Sequence, residues 1–251
     1  MDHAALAHHI CKDLVSLGLR EGDTLLVHSS LRSMGQPTPN PEAVVSGLLA
    51  ALGPQGTLLM PALSYEAVGR DQPYFDLEKT PSNVGSLPEY FRQRTGTQRS
   101  IHPTHSVCGV GERASEMLGL HQRDHSPVGL HSPFRLLPDY GGKILMLGCG
   151  LRPNTSFHGI EELFRPPYLL GEPYTVYMST PEAQWSFLYT PHDFAGYVQR
   201  YDRLAEFLSP PALVRGQVLA AEAWLIDAAA MWEAGKQALE KDPFAFVEAE
   251  G

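Results

Sequence analysis

His158 stands in the run Asn154-Thr155-Ser156-Phe157-His158-Gly159-Ile160-Glu161-Glu162, directly behind an apolar segment that closes on glycine, Lys143-Ile144-Leu145-Met146-Leu147-Gly148-Cys149-Gly150. That order predicts a strand, a tight loop and a helix. Asn154 or Thr155 is placed to cap the helix by accepting from its free backbone N–H groups. Glu161 follows His158 by three residues and Glu162 by four, and both spacings set a carboxylate beside the imidazole on one helical face. An imidazole backed by a carboxylate at the end of a buried strand is a candidate general base. The carboxylate orients the ring and stabilises the imidazolium that forms on proton abstraction. Glu161 is the stronger partner, since adjacent helical residues point about 100° apart. Spacing alone leaves His158 open between this role and that of a hydrogen-bonded core or capping histidine.

Other chemistry is less well supported. A serine hydrolase would use a Gly-x-Ser-x-Gly elbow, and the chain has none. Cys149 lies near the His158 motif, but a cysteine nucleophile needs an imidazole close enough to lower its pKa, which the sequence does not show. His102 and His105 form an HxxH that could join His158 around a metal. Pro103 interrupts any regular helix there and no further ligand motif completes a zinc site, so no metal is expected. His102 is as readily a hydrogen-bonded loop residue as a ligand contact, and His105 reads as a hydrogen-bonded loop residue. The small-residue loop Ser29-Ser30 could cradle an anionic group with its backbone N–H groups, or be a plain turn.

The elements that must position these residues read as α/β. Leu6, Ile10, Leu14 and Leu17 mark an amphipathic helix that Gly18 ends, and Thr24–His28 is a short buried strand. Asn40-Pro41 opens a second helix, with Val44, Val45, Leu48, Leu49 and Leu52 on its apolar face, and Gly56–Pro61 is a second strand. This strand–helix–strand unit suggests a parallel pair. Residues 62–83 read as a long functional loop and 84–94 as a helix. Apolar stretches surround Val107 and Leu145, and 173–189 alternates like antiparallel strands. Residues 195–207 read as a helix, 211–223 as a strand, and the last segment, 217–251, as a solvated strand and helix. Neither a linker nor a repeat is evident, so the expectation is one domain over 1–251 with a central mixed β-sheet flanked by helices.

The composition bounds the partners. With 43% hydrophobic residues the chain has ample core material. A charge of −9, from 28 acidic against 19 basic residues, argues against nucleic acid and is compatible with a cationic small substrate. Cys11, Cys108 and Cys149 form no disulfide framework, and neither a leader nor a long apolar run is present. The expectation is a cytoplasmic monomer or homodimer without a membrane partner.

Several runs together resemble a known family. They are Val27-His28-Ser29-Ser30-Leu31 with Gly35, Gly56-Thr57-Leu58-Leu59-Met60-Pro61, Arg99-Ser100-Ile101-His102-Pro103, Ser106 through Gly111, Ser132-Pro133-Phe134, and Leu147-Gly148 to Glu161. In this order they resemble the aminoglycoside 3-N-acetyltransferases, a family distinct from the GNAT fold. The resemblance implies an acetyl-CoA-dependent N-acyltransferase that moves an acetyl group directly to an amine of an aminoglycoside or related small molecule. It implies His158 as general base with Glu161 as its partner. It further implies acetyl-CoA contacts at Ser29, Ser30, Leu31, Gly85, His102, Pro103 and Ser106, and an acceptor contact at Asp193. Leu151-Arg152-Pro153 stands where family members often carry a polar or acidic pair, so the amine is left open. Two alternatives are a hydrolase or thioesterase in which His158 activates water, and a non-catalytic CoA- or metabolite-binding protein.

Overall fold

Short apolar strands alternate with amphipathic helices along the chain, and a computed structural model describes residues 2–250. Helix α1 (His3–Leu17) is capped by Asp2 and ends at Gly18 in the left-handed region, φ 117°. Strand β1 (Thr24–Ser29) leads to α2 (Pro41–Leu52), which Asn40 caps by accepting from Glu42 N at 2.8 Å. Strand β2 (Thr57–Pro61) follows, and the long connection after it carries a short strand, β3 (Tyr74–Asp76). Next come α3 (Ser86–Gln93), β4 (Gln98–Arg99) and β5 (Val107–Gly111). The short helices α4 (Ala114–Leu118) and α5 (Pro133–Leu136) precede β6 (Lys143–Leu147), and α6 (Phe157–Phe164) carries His158. The last part holds β7 (Tyr174–Ser179), β8 (Gln184–Tyr189), β9 (Tyr197–Gln199), β10 (Leu213–Val218), β11 (Ala221–Asp227), α7 (Ala228–Lys241) and β12 (Val247–Ala249).

Seven strands form the central sheet in the order β10-β11-β6-β1-β2-β5-β4. β6, β1 and β2 run parallel while the flanking pairs are antiparallel, so the sheet is mixed as expected. The parallel β1–β2 pair with α2 between its strands is the unit anticipated from the sequence. Alternation along each strand divides the core in two. Leu25, Val27, Leu145 and Leu147 pack with Ile10 and Leu14 of α1 and Val44 and Leu48 of α2 on one face. Leu26, Ile144 and Met146 pack with Phe157, Ile160, Met231 and Trp232 on the other. A smaller sheet, β3-β7-β8, stands apart from the central one, with β7 and β8 as the antiparallel pair expected over 173–189. Among the described residues no helix is long and apolar enough to cross a membrane.

Three local expectations are corrected. The helix expected over 195–207 is β9, paired with β12, followed by a 3-10 turn at Tyr201–Glu206. Phe194 and Gly196 take positive φ and turn the chain out of helical geometry, and pairing with a distant strand overrides local preference. The single strand expected over 211–223 is a hairpin, β10–β11, turned at Leu219 with φ 53°. Helix α6 starts later than the Asn154–Thr155 cap implied: Ser156 is its N-cap and makes no side-chain capping bond.

Candidate active site

The parallel strands β1 and β6 pair His28 with Met146 and Ser29 with Leu147, so both deliver their carboxyl ends to one edge of the sheet. Loops at such an edge are the usual ligand sites of α/β sheets. His28 shares a strand face with Leu26, and so faces the α6 side. After β6 the chain turns through Gly148, φ 71°, and enters α6. This helix is seated tightly on α7: a Cβ at Gly159 would lie 2.8 Å from the Trp232 ring. Above this edge opens a cavity of about 770 Å³, with Tyr174 and Tyr189 of the smaller sheet on one wall and His28, Ser29, Asn154 and His158 on the other.

His158 reaches the cavity through a largely buried ring, its side chain 12% exposed. Its Nδ1 lies 2.7 Å from the Tyr201 hydroxyl and 3.2 Å from Glu161 Oε2. The Tyr201 hydroxyl donates to the same Oε2 at 2.6 Å, and the Tyr168 hydroxyl donates to Oε1 at 3.0 Å. With its proton given to Glu161, the Tyr201 oxygen is an acceptor for His158 Nδ1–H. The ring is thereby set in the tautomer that leaves Nε2 free to take a proton. Glu161 is fully buried, and its burial is tolerable because both oxygens are hydrogen-bonded.

A second histidine–carboxylate pair lies beside the first. His192 Nε2 sits 2.9 Å from Glu162 Oε1, and Glu162 also accepts from Ser126 Oγ and from Val128 N. Burial opposes ionisation of Glu162, but the bonds from His192, Ser126 and Val128 hold its carboxyl below the usual range. The His158 and His192 ring centres are 5.0 Å apart, and His105 stands about 6 Å from each, at 6.1 and 6.0 Å. Burial lowers the pKa of His28 to about 3, reinforced by the neighbouring His158 charge. Burial also holds His105 far below the ordinary value, and His192 below it in spite of Glu162. Burial raises the Cys149 thiol to about 11, although the residue lines the cavity; it is a poor nucleophile.

The residues singled out in the sequence fall into two groups. His158, Ser29 and Asp193 line the cavity, and Glu161 lies directly behind His158. Ser30, Leu31, Gly85, His102, Pro103 and Ser106 do not form its wall. Leu31 belongs to the core beneath α1 and α2, and Ser30 pairs with Ser33 Oγ and with Leu147 O. Gly85 precedes α3 in the left-handed half of backbone space, φ 113°, close to Ser29 O. His102 is fully buried and commits both nitrogens: Nε2 to Ser126 O at 3.0 Å, and Nδ1 to the backbone N–H groups of Thr104 and His105. Ser106 latches Arg99 to Ala62 O, and Pro103 O accepts from Ser64. Sequence reasoning missed Tyr168, Tyr201, His192 and the His28 side chain. Tyr201 and Tyr168 carry no local signal, because each meets Glu161 only through the fold.

Residues 26–240 match the family model described as aminoglycoside 3-N-acetyltransferase. The chain belongs to this family. A curated relative, aminoglycoside N(3)-acetyltransferase VII of Streptomyces paromomycinus, is 32% identical over 175 residues, which are 63% of this chain and 60% of the relative. The chain thus spans about three fifths of the length of that relative, at 60%. Two solved structures agree along nearly the whole length. One, the aminoglycoside acetyltransferase AAC(3)-Xa, superposes with a TM-score of 0.83 at 28% identity, covering 94% of this chain and 92% of the other. A second, AAC-IIIb in binary complex with CoASH, has a TM-score of 0.78 at 28% identity and coverages of 92% and 95%.

Proposed function

We propose that the chain is an acetyl-CoA-dependent N-acyltransferase that moves the acetyl group directly to a primary amine of an aminoglycoside or a related small molecule. The observation that carries this reading is the His158–Glu161–Tyr201 constellation, with a free imidazole nitrogen facing a roomy cavity. Acetyl-CoA supplies an activated carbonyl and a good thiolate leaving group. The residues left for the protein to provide are a base, hydrogen-bond donors and a shaped enclosure.

Each of these has a candidate. His158 Nε2 takes the proton that the amine sheds as its nitrogen bonds to the carbonyl carbon. Glu161 and Tyr201 hold the ring and stabilise its charge. The Ser29 hydroxyl and His28 Nε2 are buried without partners and face the same cavity, so either can donate to the carbonyl oxygen as it gains negative charge. The cavity volume of about 770 Å³ suits a pantetheine arm together with an acceptor. Glu172 and Asp193 offer carboxylates to a cationic amine, while Arg70 and Arg152 also line the cavity. Mixed charge of this kind fits an acceptor with few cationic groups better than one with many. A donor drawn from the acetyl-CoA pool makes the cytoplasm the compartment of action.

The test is thiol release from acetyl-CoA followed across a panel of amines. Amine-dependent release is expected, with loss of turnover but retained CoA-induced thermal stabilisation in His158→Ala. Release that ignores every amine would favour hydrolysis. Retained turnover in His158→Ala would remove that residue as the base, and no thermal shift with CoA would sink the donor assignment.

A further inference from the structure

We propose that His105, His158 and His192 form a binding site for one divalent transition-metal ion of the zinc type on the cavity floor, and that loading this site withdraws His158 from proton transfer. The metal site stands on geometry by itself; its inhibitory effect rests on His158 being the base of the proposed reaction.

One nitrogen of each of the three rings lies within 4.8 Å of one nitrogen of each of the others. The rings arrive from three places: the segment before β5, helix α6, and the segment after β8. Each also has one nitrogen anchored from behind. Glu161 and Tyr201 hold Nδ1 of His158, Glu162 holds Nε2 of His192, and the Thr104 hydroxyl holds Nδ1 of His105 at 2.9 Å. Carboxylates and hydroxyls behind ligating imidazoles are the usual support of a histidine metal site, because they fix the tautomer and raise ligand basicity. The three remaining nitrogens are His158 Nε2, His192 Nδ1 and His105 Nε2. Of these, His192 Nδ1 is buried with no hydrogen-bond partner, a cost that a bound cation would remove.

The donor chemistry selects the ion. Three neutral imidazoles suit zinc, copper or nickel and not magnesium or calcium, which prefer oxygen. Tetrahedral bonds of about 2.0–2.1 Å place ligand nitrogens roughly 3.3 Å apart, so the rings must draw together on loading. The fourth position then faces the cavity, open to water or a ligand. A metal on Nε2 of His158 occupies the lone pair that would accept the amine's proton, and transfer stops until the ion leaves.

The test uses chelator-treated protein titrated with Co²⁺, whose tetrahedral complexes absorb strongly in the visible. One ion per chain is expected, displaced by Zn²⁺. His192→Ala should abolish the spectrum. Glu162→Gln, which only unseats the support of His192, should weaken binding by about 10- to 100-fold and serves if the first variant does not fold. A wild-type protein with no cobalt spectrum, or variants that bind as well as wild type, would overturn the site. In parallel, amine-dependent thiol release should disappear on addition of stoichiometric Zn²⁺ and return with chelator. Turnover unchanged or raised in the loaded protein would overturn the withdrawal of His158. A chelated protein with no turnover at all would count against the transferase reading, while the cobalt spectrum would still decide the site.

Discussion

Removing one oxygen atom, in Tyr201→Phe, tests whether the pair behind His158 acts as a catalytic unit. The hydroxyl bridges His158 Nδ1 at 2.7 Å and Glu161 Oε2 at 2.6 Å, while the direct His158–Glu161 contact is longer, 3.2 Å. The phenylalanine ring keeps the packing against Phe157, whose ring centre is 4.8 Å away. What is lost is a hydrogen bond to a carboxylate, worth about 1.5–3 kcal/mol. That loss is felt most when the imidazole is charged, which is when the amine's proton has moved. Since about 1.4 kcal/mol is tenfold in rate, kcat/KM should fall roughly 10- to 150-fold, with the change in kcat and little in the KM for the amine. Tyr168→Phe is the control. Its hydroxyl meets Glu161 Oε1 and does not touch His158, so it should lower stability more than rate. Glu161→Gln should cost at least as much as Tyr201→Phe. The double variant should be no worse than the poorer single variant, because the hydroxyl and the carboxylate act on His158 Nδ1 as one unit. The assay is thiol release under saturating acetyl-CoA. A Tyr201→Phe rate within about twofold of wild type, or additive losses in the double variant, would refute the reasoning.

Acid sensitivity follows from histidines buried in neutral form. His28 is lowered from 6.5 to about 3 and His102 from 6.5 to about 4, both chiefly by burial. Below pH 6.5 the unfolded chain binds protons that the folded chain refuses, so stability is complete above that value and is lost as pH falls. Each ring contributes a loss of order 2 kcal/mol by pH 5, and urea melts that agree at pH 7 and pH 5 would contradict this. Gly159→Ala should destabilise by about 1–3 kcal/mol, although alanine normally favours a helix, because its Cβ would press on Trp232. A raised melting temperature would show that α6 and α7 have room to spare. Cys149 should be alkylated slowly at neutral pH, since its thiol is pushed up to about 11; rapid labelling, followed by mass spectrometry, would speak against that burial.

Much of the architecture was legible in the chain. Short apolar runs bounded by glycine gave β1, β2 and β6, and the Asn40-Pro41 pair marked the start of α2. These signals are local, since capping, strand burial and helical periodicity act within a few residues. For the same reason His158 and Glu161 could be paired from spacing, one helical turn apart. Where local preference met a distant partner it failed: β9 pairs with β12 across some fifty residues of chain and replaces the expected helix.

The site was legible in outline but not in its working parts. Sequence marked the His158–Glu161 pair and, by resemblance, the family. By resemblance it also pointed to His102, Pro103 and Ser106, and the fold shows what these residues bond to in the loop before β5. Glu162 looked like a weak rival of Glu161, because side chains one residue apart on a helix diverge. The fold turns that divergence to use, with Glu161 behind His158 and Glu162 behind His192. Tyr168 and Tyr201 meet Glu161, and His105 and His192 stand beside His158, from separate segments. No spacing rule connects them, since the contacts exist only once the smaller sheet and the C-terminal segments close over the edge of the central one. By itself the sequence marked His158 beside Glu161 as the candidate base. Tertiary structure alone decided which nitrogen is left free, because Tyr201 and a fully buried Glu161 engage Nδ1 from positions that only folding brings together.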